Sequence, residues 1–143
     1  MNTAAILAAI ALVLGASNAI TQAAASPAVS LAAQASSAAD AADLQVLDGL
    51  RRRGADLDKP HTPVYFTRFP TEAAQKAARR EFESDGFRVL RSSPAKDGKA
   101  WNLLLTRTMP LSIDNVTSAS RSIATVTARF GGQYDGWEAD PRK

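Results

Sequence analysis

The sequence predicts an α+β protein in which a four-stranded antiparallel sheet packs against two amphipathic helices, behind an extra N-terminal helix. Short segments rich in aromatic and β-branched residues alternate with two segments whose apolar residues recur every three or four positions. The second periodic segment is followed by one further short strand. The beginning of the chain has a different composition, because no charged side chain occurs before Asp40.

The first part of the chain, residues 1–25, is predicted to be a signal peptide or an N-terminal anchor. An apolar run from Ala4 to Leu14 has the length of a signal-peptide core and falls short of the roughly 20 residues of a membrane-spanning helix. Small residues at Ser17–Ala19 and Ala23–Ala25 offer cleavage sites, although no basic side chain precedes the run. Residues 26–39, rich in Ala and Ser, are expected to form a linker, which could be a frayed helix because of the helix propensity of Ala alone. Cleavage would place the protein in the periplasm or outside the cell, whereas an intact chain would be tethered or cytoplasmic.

The folded domain is predicted to span residues 40–143, with its core between residues 63 and 138. A first helix begins near Asp40, carries leucines at intervals of three and stops at Gly54. A loop with two prolines follows, and Val64–Phe69 has the composition of a first strand.

Two helices and three strands follow. Ser112 is a good N-cap, Asp97 and Gly98 form a turn signal between two strands, and Pro110 is expected to break the strand ladder. Gly136 is expected to allow a bulge or a positive φ between Tyr134 and Trp137 in the last strand. The predicted segments are a helix that starts at Pro70–Glu72 and ends before Gly86, strand Phe87–Arg91, a central strand Trp101–Thr108, helix Ile113–Phe130 and strand Gln133–Glu138.

This order, βαββαβ behind one helix, is the ferredoxin-like split βαβ arrangement. Two amphipathic helices need a common apolar surface, which one face of the sheet supplies. The other face stays open unless a partner or the N-terminal helix covers it.

The sequence offers no arrangement of residues that is typical of catalysis. The chain has no Cys, and its one His, His61, lies in a proline-bracketed loop where we expect it to be solvated. No nucleophile elbow, phosphate-binding loop or metal-ligand spacing occurs, and pairs such as Asp56 with Asp58 are common on surfaces. We therefore expect no enzyme activity, no cofactor and no metal site.

The most specific motif is the run Tyr134-Asp135-Gly136-Trp137, directly after an aromatic-ended helix. Together with the helix-to-strand turn at Ser84–Val89, it resembles the RraB family of small protein inhibitors of ribonuclease E. The resemblance covers roughly Pro63–Glu138. It implies a ferredoxin-like domain without cofactor or catalytic residues, which modulates RNA processing by contacting a protein partner, ribonuclease E in the family.

The candidate residues for partner binding are Tyr134, Asp135 and Trp137 at the motif, with Arg68 and Arg107 in the first and third strands. Tyr134 and Trp137 have two interpretations, since aromatics three apart can pack against the last helix or form an exposed anchor for a partner.

Two alternatives to ribonuclease regulation remain. An exported chain would be an interaction module with an unknown envelope partner. A weak RNA-binding module is the other, because the element order matches that of RNA-recognition domains and one of Tyr65 and Phe66 would face outwards for base stacking. The net charge of +3 is small for a dedicated nucleic-acid-binding domain, and direct RNA binding is not expected.

Overall fold

A computed structural model describes the backbone of residues 27–141 and the side chains of residues 37–141. The predicted leader, residues 1–25, lies outside the described residues. The described part forms three helices and six strands. The helices are α1 (Pro27–Arg52), α2 (Glu72–Ser84) and α3 (Ile113–Arg129), and the strands are β1 (Pro60–His61), β2 (Val64–Phe69), β3 (Arg88–Pro94), β4 (Trp101–Thr106), β5 (Met109–Pro110) and β6 (Gln133–Glu138).

The main sheet has four strands in the order β3-β4-β2-β6, and every neighbouring pair is antiparallel. The predicted α+β class and the four-stranded antiparallel sheet are therefore confirmed. The strand Val64–Phe69 has the predicted bounds, and β4 is a central strand as expected. By contrast, β3 continues beyond Arg91 to Pro94, and β4 ends at Thr106 rather than Thr108.

A second sheet, which the sequence did not predict, consists of β1 and β5 alone. Pro60 pairs with Pro110 and His61 with Met109. The ladder of β4 ends before Pro110, in keeping with the expectation, and Pro110 itself takes part in this second pairing. Proline lacks an N–H donor but keeps its carbonyl acceptor, which limits such a pairing to a short edge contact. The pairing holds the segment before β2 against the segment before α3.

The sheet has one covered and one open face, and successive side chains of β2 point alternately to the two. Tyr65, Thr67 and Phe69 are buried towards the helices, whereas Phe66 is half-buried and Arg68 exposed on the other side. This alternation follows from the two-residue period of a strand.

Helices α2 and α3 cover the buried face and begin where the sequence predicts. Thr71 caps α2 by accepting from the Ala74 N–H, and Ser112 caps α3 by accepting from the Asn115 N–H. Large side chains such as Phe82 and Ile123 are fully buried against the sheet. The helix stripes thus supply the core that the periodicity indicated.

Helix α1 begins at Pro27, well before the start predicted at Asp40. The backbone of residues 27–39, expected to be a linker, is helical, in keeping with the high helix propensity of Ala. Helix α1 packs against α3 and contributes Leu47 and Leu50 to the core. It extends the helical layer and leaves the other sheet face open.

Candidate functional site

The last strand contains the bulge that Gly136 predicts. Thr67 of β2 pairs with Tyr134 and the adjacent Phe66 pairs with Gly136, so Asp135 is the extra residue. Gly136 has a φ of +100°, a conformation that favours glycine. In a regular strand, residues three apart point to opposite faces. The extra residue therefore turns both Tyr134 and Trp137 towards the helices.

The two aromatic residues of the motif meet a buried carboxylate. Trp137 Nε1 donates to Asp43 Oδ1 over 2.8 Å, and Ser120 Oγ donates to the same oxygen over 3.1 Å. The Tyr134 hydroxyl lies 3.2 Å from Ser120 Oγ. We call Asp43, Ser120, Tyr134 and Trp137 the Asp43 cluster. It joins α1, α3 and β6, the three elements that contribute its members.

The Asp43 carboxylate is nearly inaccessible to solvent, with an exposed fraction of 4 %. Burial raises its pKa above the ordinary value, while the hydrogen bonds from Trp137 and Ser120 act in the opposite direction. Its second oxygen, Oδ2, has no hydrogen-bond partner among the described residues. One helical turn earlier, Asp40 forms an ion pair with Arg121. The cluster is suited to holding elements together rather than to exchanging protons with a substrate.

Sequence reasoning did not single out Asp43 or Ser120 as cluster members. Asp43 lies three residues after Asp40, near which the first helix is predicted to begin, and acidic residues are common at a helix start. Ser120 is four residues after Val116 and three before Ile123, so it lies on the buried stripe of α3. A polar residue on an apolar stripe is the signal that could have found it.

The candidate residues divide between the two faces of the sheet. Tyr134 and Trp137 lie on the covered face, and Trp137 has an exposed fraction of only 7 %, as the packing interpretation expects. Arg68 and Asp135 lie together on the open face, where Arg68 Nη2 is 3.1 Å from Asp135 Oδ2. Arg107 lies apart, with its guanidinium 4.6 Å from the centre of the Phe87 ring.

The open face has an apolar centre with polar residues around it. Phe66 of β2 is paired with Leu104 of β4, and Arg68 with Asn102. Phe66, Asn102 and Leu104 are half-buried, whereas Arg68 is exposed. Helix α1 packs against α3 on the covered side, so within the part of the chain that the structure describes these residues are at least partly accessible to a partner.

The expectation that His61 is solvated was wrong. Its exposed fraction is 1 %, and its Nε2 lies 2.7 Å from the Asp56 carbonyl oxygen. The pairing of β1 with β5 draws the loop against the domain, as does the hydrogen bond from Leu111 N–H to the Leu57 carbonyl. His61 therefore fastens this loop.

A depression with a volume of about 510 Å³ lies between α1 and the end of β6. Its wall includes Arg53 together with Glu138 and Asp140, so it presents both signs of charge. This mixed lining does not select a class of ligand.

Two further findings concern the described part of the chain. Within it, no group of His, Asp and Glu side chains is arranged to hold a metal ion. Of the helices described, none has the length and apolar character needed to cross a membrane.

Fold and site together define a small α+β domain that uses its aromatic motif internally and presents one open sheet face. The chain belongs to the RraB family, described as regulator of ribonuclease activity B, whose sequence model matches residues 40–139. The family consists of regulators rather than catalysts. The match includes every member of the Asp43 cluster, from Asp43 to Trp137. A comparison with curated proteins gives no match.

Proposed function

We propose that this protein regulates a ribonuclease by binding it, without catalysing a reaction itself, and that ribonuclease E is the partner. The family match supports the regulatory role. The observation that carries the binding mode is the bulge of β6, since it directs Tyr134 and Trp137 inwards and leaves Asp135 beside Arg68 on the open face. In this proposal, the motif is the internal support of an external protein-binding surface.

The strand order β3-β4-β2-β6, with α2 and α3 on one face, supports a ferredoxin-like arrangement of the main strands. Helix α1 and the β1–β5 pair are additions to it. Such an arrangement offers a partner a flat sheet face of mixed polarity.

The binding test uses the full chain and purified ribonuclease E. We expect co-purification of the two proteins and slower cleavage of a structured RNA substrate when this protein is added. Arg68→Glu and Asp135→Arg should weaken the complex, because each places two like charges next to each other on the open face. Unchanged binding of both variants would remove the open face from the proposal.

A matched control is available on α2. Arg79 and Glu83 form an ion pair of 2.8 Å whose side chains are about as exposed as those of Arg68 and Asp135. Arg79→Glu disrupts a comparable pair away from the sheet. This variant should bind ribonuclease E as the unaltered protein does.

The second candidate function is an exported interaction module with an envelope partner. It is favoured by the composition of the first 39 residues, which contain an apolar run and no charged side chain. The intact mass of the protein, expressed with its native N-terminus, separates the two candidates. A full-length cytoplasmic species supports ribonuclease regulation, and a periplasmic species beginning near Ile20 or Ser26 supports the exported module.

A further inference from the structure

Most charges on the helices of this protein are neutralised locally, whereas those of β3 and the following loop are not. Ion pairs join Lys76 with Glu72 on α2 and Arg129 of α3 with Glu81 of α2. The segment from β3 to β4 contains four cations without an ion-pair partner among the described residues, namely Arg88, Arg91, Lys96 and Lys99. Its single acid, Asp97, accepts a hydrogen bond from the Lys99 backbone.

These cations lie next to the apolar part of the open face. Arg91 is paired with Leu104, and the register shift beside it makes Leu90 an extra residue with an exposed fraction of 48 %. A shallow depression of about 210 Å³ is lined by Arg91 and Lys96 together with Leu104. We call Arg88, Leu90, Arg91, Lys96 and Leu104 the β3 surface.

The β3 surface combines positive charge with exposed aliphatic side chains. Unpaired cations are complementary to carboxylates or phosphates, whereas Leu90 and Leu104 are complementary to an apolar group. A single-stranded nucleic acid would need aromatic side chains for base stacking. The open face has only Phe66 of the described aromatics near these residues, because Trp101 is paired with Phe69 on the covered face.

We propose that the β3 surface docks an acidic segment of a protein partner, with carboxylates at Arg88, Arg91 and Lys96 and an apolar side chain over Leu104. At the opposite edge, Asp135 of β6 already neutralises Arg68, and Glu138 of β6 adds a negative charge, so this edge would not attract such a segment. The charge of the two edges thus fixes the side of the sheet on which the segment lies. This proposal rests on the protein-binding part of the proposed function and adds the chemistry of the partner.

The test is a titration of the full chain with an alternating Glu-Leu peptide of twelve residues. The amide chemical shifts of the protein, measured by NMR, report the binding. We expect shifts in β3, in the loop after it and at Leu104. The double variant Arg88→Glu, Arg91→Glu should bind the peptide at least about tenfold more weakly than the unaltered protein, because two attractive contacts become repulsive. A matched control, Arg51→Glu with Arg80→Glu, changes the net charge equally at two exposed helix arginines without ion-pair partners among the described residues.

Three results would overturn the proposal. In the first, the control pair weakens peptide binding as much as the β3 pair does, which would mean long-range attraction only. In the second, a twelve-nucleotide oligo-uridine binds the same residues as tightly as the peptide. In the third, the unaltered protein self-associates in sedimentation and the β3 variant does not, which would assign the surface to a second copy.

The outcome is separable from the ribonuclease proposal. If the β3 variant loses the peptide but still binds ribonuclease E, the docking surface stands and serves a different partner. If the unaltered protein does not bind ribonuclease E while the peptide results are as expected, the ribonuclease proposal fails alone. Thermal unfolding of both double variants establishes that each is folded.

Discussion

Trp137 and Asp43 are separated by 94 residues in the chain, yet the indole Nε1 donates a hydrogen bond of 2.8 Å to the carboxylate. The contact fastens the last strand to the first helix inside the domain. Since both groups are buried, neither has ready access to solvent as a replacement partner. The motif that carries the resemblance to the RraB family is therefore a structural connection, and its variants should affect stability first.

Replacing Trp137 by alanine should destabilise the protein by about 3–5 kcal/mol, the usual cost of removing a large buried aromatic side chain. The variant also leaves Asp43 without one of its two donors. Trp137→Phe retains much of the packing and loses the N–H, so its cost should be smaller, about 1–3 kcal/mol. Urea denaturation measures both. Equal stability of Trp137→Ala and the unaltered protein would contradict the packing role.

Replacing Asp43 by asparagine should stabilise the protein at neutral pH. Burial raises the Asp43 pKa in the folded state, so the charged form is less favourable there than in the unfolded chain. The contribution of Asp43 to stability is fully present below pH 3.8 and is lost as the pH rises through its raised folded-state pKa. The stability difference between Asp43→Asn and the unaltered protein should therefore be small at low pH and grow across that interval.

The pH series needs a variant that removes the same charge elsewhere on α1. Asp48→Asn does so at an exposed position, where the carboxylate forms an ion pair with Arg52. Comparing the two variants separates burial of the carboxylate from a change in net charge. A difference that is independent of pH for Asp43→Asn would show that its carboxylate does not change its pKa on folding.

Gly132 has no room for a side chain, because a Cβ there would lie 2.6 Å from the Arg68 carbonyl oxygen and 2.7 Å from the Phe69 ring. Gly132→Ala should cost about 1–3 kcal/mol through displacement of β2 or β6. Gly49→Ala is the matched variant, since a Cβ there meets only the end of Arg53 at 4.0 Å. It should stabilise α1 by about 0.5–1 kcal/mol. Thermal unfolding of the two variants measures whether each one loses or gains stability.

Gly136→Ala should lower stability by about 1–3 kcal/mol, because alanine is strained at a φ of +100°. It should also weaken partner binding, since the bulge places Asp135 beside Arg68. Gly86→Ala is the control. Gly86 also has a positive φ and open space around its Cβ, but lies at the end of α2. If both variants bind ribonuclease E equally when fully folded, the bulge does not act in binding.

Deleting residues 1–39 should leave the melting temperature within about 4 °C of the full chain, a change of less than about 1 kcal/mol for a domain of this size. The contacts of Asp40 with Arg121 and of Asp43 with Trp137 remain in the shortened protein. Differential scanning calorimetry of both proteins provides the comparison. A fall of about 15 °C or more, roughly 2–4 kcal/mol for a domain of this size, would mean that the deleted part belongs to the folding unit.

The positions of the main helices and strands were determined by local sequence. The bounds of β2 follow from its aromatic and β-branched residues, and α2 and α3 begin at the capping residues Thr71 and Ser112. Such signals act between residues a few positions apart, so they can be recognised without the fold. The irregularity at Gly136 belongs to the same group, because a glycine within a strand indicates a bulge or a positive φ, and the structure has both.

Only the tertiary structure decided what the motif is for and which residues complete it. Ser120 and Asp43 are 77 residues apart, and nothing near either one specifies the other as its partner. The burial of His61 likewise depends on the pairing between β1 and β5. Each of these strands has only two residues, too few to show a periodic pattern in the sequence. A local pattern fixes which face of an element is apolar. The partner of a buried polar group is fixed only when packing excludes water and brings distant elements together.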